Sequence, residues 1–425
     1  MNQGFTSILS YSAASRDGSD WTEAFRQALT EIGEQGGGIL FVPAGQYPTR
    51  SIQLYSNTTL WVDAGATISF TDDIENYELI DTEFEGIASK AYKPLIFADH
   101  ADNIALIGRG TLNGNGKRWW EELRARRLAY TRPNLVCFQY CRNTKIEDVT
   151  LTMSPSWTIH PLYCDNMLIR GVTIRNPWDS PNTDGMDPDG TSNLRIEGCT
   201  VDVGDDCIVL KSGTEDTPEK RPCENITITG CTMLHGHGGV VIGSEMSGGV
   251  RNVVISNCVF YETDRGIRVK TRRRRGGVVE DVIISNIVMD KVLCPFVFNM
   301  YYNCGKDGRT PFVRDKNPQP VNEGTPLLRN VQINNIIARD ITSCAGFING
   351  LPEMPVDNVQ FNNCSVTMAA EAEAALPAMA DEVPMMKQSG FYVRNAKGII
   401  FNNVVLKGIQ GGIYDLDGTA DVTIH

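Results

Sequence analysis

Four short clusters near the middle of the chain carry the residue types of acid–base chemistry. They read Pro181-Asn182-Thr183-Asp184-Gly185-Met186-Asp187, Val203-Gly204-Asp205-Asp206-Cys207, His235-Gly236-His237-Gly238-Gly239 and Gly266-Ile267-Arg268-Val269-Lys270-Thr271. Together they offer carboxylates, an imidazole and two cations. Carboxylates brought close repel one another, so one of their pKa values should rise enough to hold a proton near neutral pH. A protonated acid beside an ionised partner is the equipment for glycoside hydrolysis: the acid protonates the leaving oxygen and the partner activates water. His237 could tune or relay protons. Arg268 and Lys270, two apart on a strand, share a face and could grip a carboxylate on a substrate.

Each cluster alone has a plainer reading. Asn-Thr-Asp-Gly is a good turn sequence, and Gly-Asp-Asp is turn-like or a pair of calcium ligands. A lone histidine is more often structural, and Arg-x-Lys on an exposed strand is usually just solvated. Their joint order and spacing change the balance. Asp184 and Asp205 lie 21 residues apart, Asp206 and His237 31, and His237 and Arg268 31. If each interval is one coil of a repeat, the clusters stack at about the 4.8 Å inter-strand distance and form one vertical stripe.

Such a repeat exists. Asn143-Thr-Lys-Ile146-Glu-Asp-Val149-Thr-Leu151 returns as Asn166-Met-Leu-Ile169-Arg-Gly-Val172-Thr-Ile174 and as Asn193-Leu-Arg-Ile196-Glu-Gly-Cys199-Thr-Val201. Further copies start at Asn225, Asn252, Asp281, Asn330 and Asn358, and a worn copy at Gly398. Self-similarity at such a period marks a solenoid. Apolar and polar residues alternate with period two, and no helical intervals of a dozen residues separate the copies, which excludes βαβ units. The predicted fold is all-β, a parallel β-helix lined by ladders of Ile, Val, Leu and Cys. The recurrent Asn suits a turn, where it tolerates left-handed backbone and its amide can bond a neighbouring Asn. A solenoid end needs a cap. Residues 17–35 supply one as a helix, with Ala24, Phe25, Ala28, Leu29 and Ile32 on one face behind Asp17-Gly-Ser-Asp20. Stretches near 71–98, 114–133, 303–327 and 367–390 break the repeat and read as loops or insertions. No linker-like tract divides 1–425, so a single domain is expected.

The chain carries 39 Lys+Arg against 51 Asp+Glu, a formal net charge of −12. That acidity argues against nucleic acid or an anionic membrane as partner. No run of about 18 apolar residues could cross a membrane. Met1–Ser7 shows no basic-then-apolar secretory pattern, and a cytoplasmic location is the expectation. The 12 cysteines read as small buried hydrophobes in a reduced compartment, since Cys199, Cys231, Cys258 and Cys364 sit inside apolar repeats. With no CxxC pair and five histidines, no metal site is expected, nor any other cofactor.

The four clusters together resemble glycoside hydrolase family 28, the polygalacturonases, marked by Asn-Thr-Asp, Gly-Asp-Asp, Gly-His-Gly and Arg-Ile-Lys. Here these stand as Asn182-Thr183-Asp184, Gly204-Asp205-Asp206, Gly236-His237-Gly238 and Arg268-Val269-Lys270. Gly36–Thr49 and Asp63–Ile68 look like the family's entry into its helix. The resemblance implies a right-handed β-helix that hydrolyses α-1,4 galacturonosyl bonds with inversion. It implies Asp205 as general acid, Asp184 and Asp206 as holders of the water, and His237 as support for the acid. Asn182, Arg268 and Lys270 would meet the substrate. The family's tyrosine on a later coil falls by distance on Tyr302, with Tyr301 adjacent. The partner would be a pectic oligo- or polysaccharide. Asp206 and Asn182 favour a galacturonan site over the rhamnogalacturonan type, which tends to carry Gly-Asp-Glu; a rhamnogalacturonan or xylogalacturonan hydrolase is the alternative within the family. The run Thr271-Arg272-Arg273-Arg274-Arg275, led by Arg272, is expected to recognise further carboxylates, or the terminal sugar in exo action from the non-reducing end. Substrate binding should then weaken with salt despite the acidic total. A polysaccharide lyase and a non-catalytic carbohydrate-binding β-helix are the rivals. The lyase leaves three carboxylates unexplained, and the binder has no use for an acid at Asp205.

Overall fold

The computed structural model describes residues 4–425. The chain is an all-β, right-handed parallel β-helix with an N-terminal helix. Its residues fall into two compact units, 1–205 and 206–425.

In the first unit three parallel ladders make the walls. One runs through Gly38–Val42, Thr58–Val62, Ala105–Gly108, Arg142–Glu147, Asp165–Arg170 and Ser192–Glu197. The second runs from Gly45–Thr49 through Ala66–Phe70, Thr111–Asn113, Thr150–Thr152 and Thr173–Arg175 to Thr200–Val203. The third joins Ile52–Gln53, Ile96–Asp99, Val136–Gln139 and Ile159–Leu162. Period-two alternation sends Leu40, Leu60, Leu106, Ile146, Ile169 and Ile196, all in register, into one fully buried column. Each such side chain is worth about 1.5–3 kcal/mol of burial. The helix α1, Thr22–Glu34, buries the expected Ala24, Phe25, Ala28, Leu29 and Ile32. It begins later than the expected 17–35, because Arg16–Gly18 forms a separate 3-10 turn. Asp20 Oδ1 accepts the N–H of Thr22, the first helical residue, at 2.9 Å. Within the irregular stretches, Leu79–Phe84 and Ile87–Tyr92 pair as an antiparallel hairpin, and Lys117–Arg124 forms helix α2.

In the second unit, from Val278 on, two of the three strands of a coil fuse into long ones, and Ser389–Lys407 joins all three. Val278–Asp290, Leu327–Ile341, Val356–Met368 and Ser389–Lys407 pair in parallel. The remaining wall stacks Asp206–Leu210, Gly238–Gly243, Arg265–Lys270, Cys294–Asn299 and Cys344–Asn349. On the ladder of the long strands, Ile228, Ile255, Ile284, Ile333, Phe361 and Phe401 form a buried column.

The recurrent asparagines do what their position demands. Asn143, Asn166, Asn193, Asn225, Asn252, Asn330 and Asn358 all have φ between 51° and 58°. Their amides form ladders: Asn166 donates to Asn143 at 2.7 Å, Asn252 to Asn225 at 3.0 Å and Asn358 to Asn330 at 3.0 Å. Gly398, at φ 62°, takes the place in the worn copy. All 12 cysteines are free thiols and all but Cys304 are buried.

Candidate active site

In the first unit the Asn-Thr-Asp segment is pinned rather than free. Asn182 has φ 53°, which asparagine tolerates. Its Oδ1 accepts from Arg132 at 2.7 Å, and the same guanidinium donates to the carbonyls of Pro181 and Pro155, each at 2.7 Å. Thr183 Oγ1 lies 2.5 Å from Ser180 Oγ, and the Asp184 carbonyl accepts the Thr158 N–H at 2.9 Å. Asp184 is buried. Asp205, half-buried, follows Gly204 at the end of Thr200–Val203. A Cβ on Gly204 would lie 2.7–2.8 Å from three backbone carbonyl oxygens, those of Pro177, Ser180 and Trp178. That crowding is why the motif needs glycine there. Burial lowers the Arg132 pKa to about 10, with the charges of Asp184 and then Asp205 opposing the fall. Arg132 sits in the 114–133 stretch, where no motif marked it.

In the second unit Asp206 opens the strand Asp206–Leu210 and is fully buried. Lys270 Nζ donates to its Oδ2 at 2.6 Å, and Arg268 donates to its Oδ1 at 3.3 Å. Burial pushes the Asp206 carboxyl up, but the charges of Lys270 and Arg268, the Lys270 hydrogen bond and the charge of His237 together hold it well below the usual carboxylate range. Asp206 is therefore not the acid with a raised pKa that crowding alone suggested. Burial lowers Lys270, and Asp206 more than reverses this, so its pKa is raised. Gly238 makes room for the carboxylate: a Cβ there would stand 3.2 Å from Asp206 Oδ1 and 2.4 Å from Val241.

His237 is exposed, in the turn between Thr232–His235 and Gly238–Gly243. The simple vertical stripe needs correction here. Val240 pairs with Ile267, so one coil spans 27 residues here, and the Asp264 N–H, not Arg268, meets the carbonyl of Gly236 next to His237, at 2.9 Å. Arg268 pairs instead with Val241, and the two cations reach Asp206 diagonally by the length of their side chains. Tyr302 rather than Tyr301 is their neighbour. Its ring centroid lies 5.5 Å from Lys270 Nζ and 6.0 Å from Arg268 Cζ. Tyr301 is buried and faces Lys316, 3.5 Å from its ring, and Arg273.

Arg272 is the second correction. Its side chain is 0% exposed and donates to Glu215 at 2.8 Å and to the carbonyls of Arg273 and Lys306. It offers a substrate nothing to touch. The rest of the run is also matched: Arg273 with Glu353 at 2.6 Å, Arg274 with Asp307 at 3.2 Å, Arg275 with Glu215 and with Glu245. The four arginines brace loops rather than form a cationic patch.

The family profile of Glycosyl hydrolases family 28 matches residues 42–380. A probable polygalacturonase of Vitis vinifera is 33% identical over 364 residues, 83% of this chain and 72% of that protein. A hyperthermoactive exopolygalacturonase from Thermotoga maritima superposes with a TM-score of 0.77 at 31% identity, over 96% of this chain and 93% of that one. The family 28 exopolygalacturonase of Yersinia enterocolitica gives a TM-score of 0.81 at 18% identity, over 99% of this chain and 78% of that one, a likeness of fold. With its four motifs in place on a β-helix and the family profile spanning most of its length, the chain belongs to glycosyl hydrolase family 28 and is a polygalacturonase-like glycoside hydrolase.

Proposed function

We propose that this enzyme hydrolyses α-1,4 galacturonosyl linkages of pectin-derived oligogalacturonides with inversion, removing sugars from the non-reducing end. Asp205 is the general acid, Asp184 and Asp206 hold and activate the water, and His237 supports the protonation state of the acid. Asn182, Arg268, Lys270 and Tyr302 meet the substrate. The observation that carries the reading is the clamp on Asp206. A buried carboxylate held by Lys270 at 2.6 Å and Arg268 at 3.3 Å stays ionised near neutral pH, which suits a base and disqualifies it as the acid. Exo action draws support from the 31% identity to the Thermotoga maritima exopolygalacturonase.

Digestion of hexagalacturonate followed by proton NMR tests the whole reading. Monomer alone from the first time point, released as the β anomer, is expected. A retained α anomer would reject inversion, and an ultraviolet-absorbing unsaturated product would reject hydrolysis. Asp205→Asn should lower kcat by about 10²–10⁴ or more; full activity in that variant would remove Asp205 from the acid role.

A further inference from the structure

We infer that the groove between α1 and the start of the wall at Ile52–Gln53 is a second, non-catalytic site for a uronate-bearing oligosaccharide, with Arg50 and Lys93 taking a carboxylate and Tyr55 a sugar face. That the uronate is galacturonate rests on the hydrolase reading above.

The groove encloses about 610 Å³, within the range of small-molecule sites. Arg26, Arg50, Gln53, Tyr55, Glu78 and Lys93 give it its chemistry, and the cations among them outnumber the single acid. Arg50 is the least committed of these. Its backbone N–H donates to Thr22 Oγ1 at 2.9 Å, which fixes the residue at the start of α1. Its side chain is 35% exposed, and the carboxylate beside it, that of Asp20, is 3.8 Å away, beyond hydrogen-bonding distance. A guanidinium is a planar fork of donors that takes a carboxylate in bidentate fashion. Lys93 Nζ is held by Glu78 at 3.0 Å, but Glu78 is 75% exposed. An ion pair so open to water adds little stability, so a ligand carboxylate can take the place of Glu78. Tyr55 is 38% exposed and yet held in place. A Cβ on Gly33 of α1 would lie 3.2–3.4 Å from Tyr55 Cβ, Cγ and Cδ2. That glycine, a poor helix former, lets the ring sit against α1 with part of it open to solvent.

The groove stands apart from the catalytic carboxylates of its unit. Register along the wall runs through Ile52, Ile96, Val136, Ile159 and Met186. Asp184, two residues before Met186, is therefore about 19 Å along the wall, four strand spacings of about 4.8 Å. Between them the Leu79–Phe84 and Ile87–Tyr92 hairpin rests on the wall. Thr82 donates to Gln139 at 3.4 Å, Phe84 stacks on Trp157 at 4.4 Å, and Tyr163 donates to Glu83 at 2.9 Å. A sugar in the groove is out of reach of the chemistry. A chain anchored there raises the effective concentration of chain ends beside the enzyme.

Titration calorimetry with trigalacturonate tests this on the full chain carrying Asp205→Asn, which prevents turnover. Two molecules should bind per chain. Adding Arg50→Gln or Tyr55→Ala should reduce this to one, with the Kd of the remaining site within about twofold, since the two sites are distant. Circular dichroism and melting establish that each variant is folded, and Lys93→Gln replaces either that is not. A parent that binds one molecule or none, or a stoichiometry that the groove variants leave unchanged, overturns the second site. Hexagalacturonate left intact by the native enzyme is a different failure: it removes the galacturonan reading, and the identity of the groove's ligand with it.

Discussion

Asp206 meets two cations before any substrate arrives, and this decides what Arg268 and Lys270 do. Two positive charges face one carboxylate, so the trio keeps one net positive charge for a uronate while holding Asp206 ionised. Lys270→Met separates these duties. A residue that only bound substrate would raise KM and leave the pH profile unmoved. A clamp lets burial raise the Asp206 pKa, so the acid limb of kcat/KM should move to higher pH by about one unit or more. The same variant removes the shortest ion pair of a buried carboxylate and should cost about 3–5 kcal/mol in urea unfolding. The sign of the pH dependence follows. The folded pKa of Asp206 lies below its unfolded value of about 3.9, so its stabilising contribution is full above about pH 4 and fades as pH falls through the folded value. An acid limb unchanged in Lys270→Met would show that Asp206 does not depend on the clamp. The motif residues themselves were legible because four clusters, each turn-like alone, occur together in order and at the spacing of the repeat. Arg132 was not, because nothing in Thr131-Arg132-Pro133 announces that its guanidinium will hold Asn182, 50 residues away.

At the scale of elements the repeat was readable because each coil poses the same problem, a turn residue with positive φ and an apolar residue facing inward. Asparagine solves the first and bonds its neighbour as well. Asn330 shows both roles, with φ 56°, a donated bond to Asp281 at 3.1 Å and an accepted one from Asn358 at 3.0 Å. Asn330→Ala should cost about 2–3 kcal/mol, combining left-handed backbone strain with the lost ladder bonds. Asn330→Gly should cost clearly less, since glycine accepts the backbone and forfeits only the bonds, as Gly398 does naturally. Equal losses in chemical denaturation would mean that the strain is negligible and the ladder carries everything. A second ladder, Asn286 on Asn257, Asn335 on Asn286 and Asn403 on Asn363, escaped the sequence reading. All its members but Asn257 sit inside the long fused strands, where the apolar alternation hides them. The arginine run misled for a different reason. Charge in a row suggests solvent, but the partners Glu215 and Glu353 of Arg272 and Arg273 lie 57 and 80 residues away, beyond any local pattern. The 367–390 stretch was visible as a break in the repeat, whereas its seat on Val297 and Phe347 depends on outward apolar positions that only the register reveals.

Over the whole chain, a charge of −12 faces a substrate that is itself a polyanion. Had the four arginines been exposed, local attraction would dominate and salt would weaken binding. Instead Arg272, Arg273 and Arg275 are buried against glutamates, and Arg274 is paired with Asp307. Of the cations the motifs supply, Arg268 and Lys270 are both nearly buried, at 3% and 8% exposure. Salt screens exposed charges beyond a Debye length of about 10 Å at 0.1 M, but screens buried pairs much less. Added salt therefore removes more of the long-range repulsion between acidic protein and anionic substrate than of the attraction at the site. The KM for trigalacturonate should fall, or stay within about twofold, as sodium chloride rises from roughly 20 to 200 mM, with the larger benefit for longer and more charged oligomers. Initial rates at constant pH across that range are enough to measure it. A KM that climbs about tenfold instead would mean that exposed cations govern binding, and the paired state of the Arg272–Arg275 run would have to give way when substrate binds.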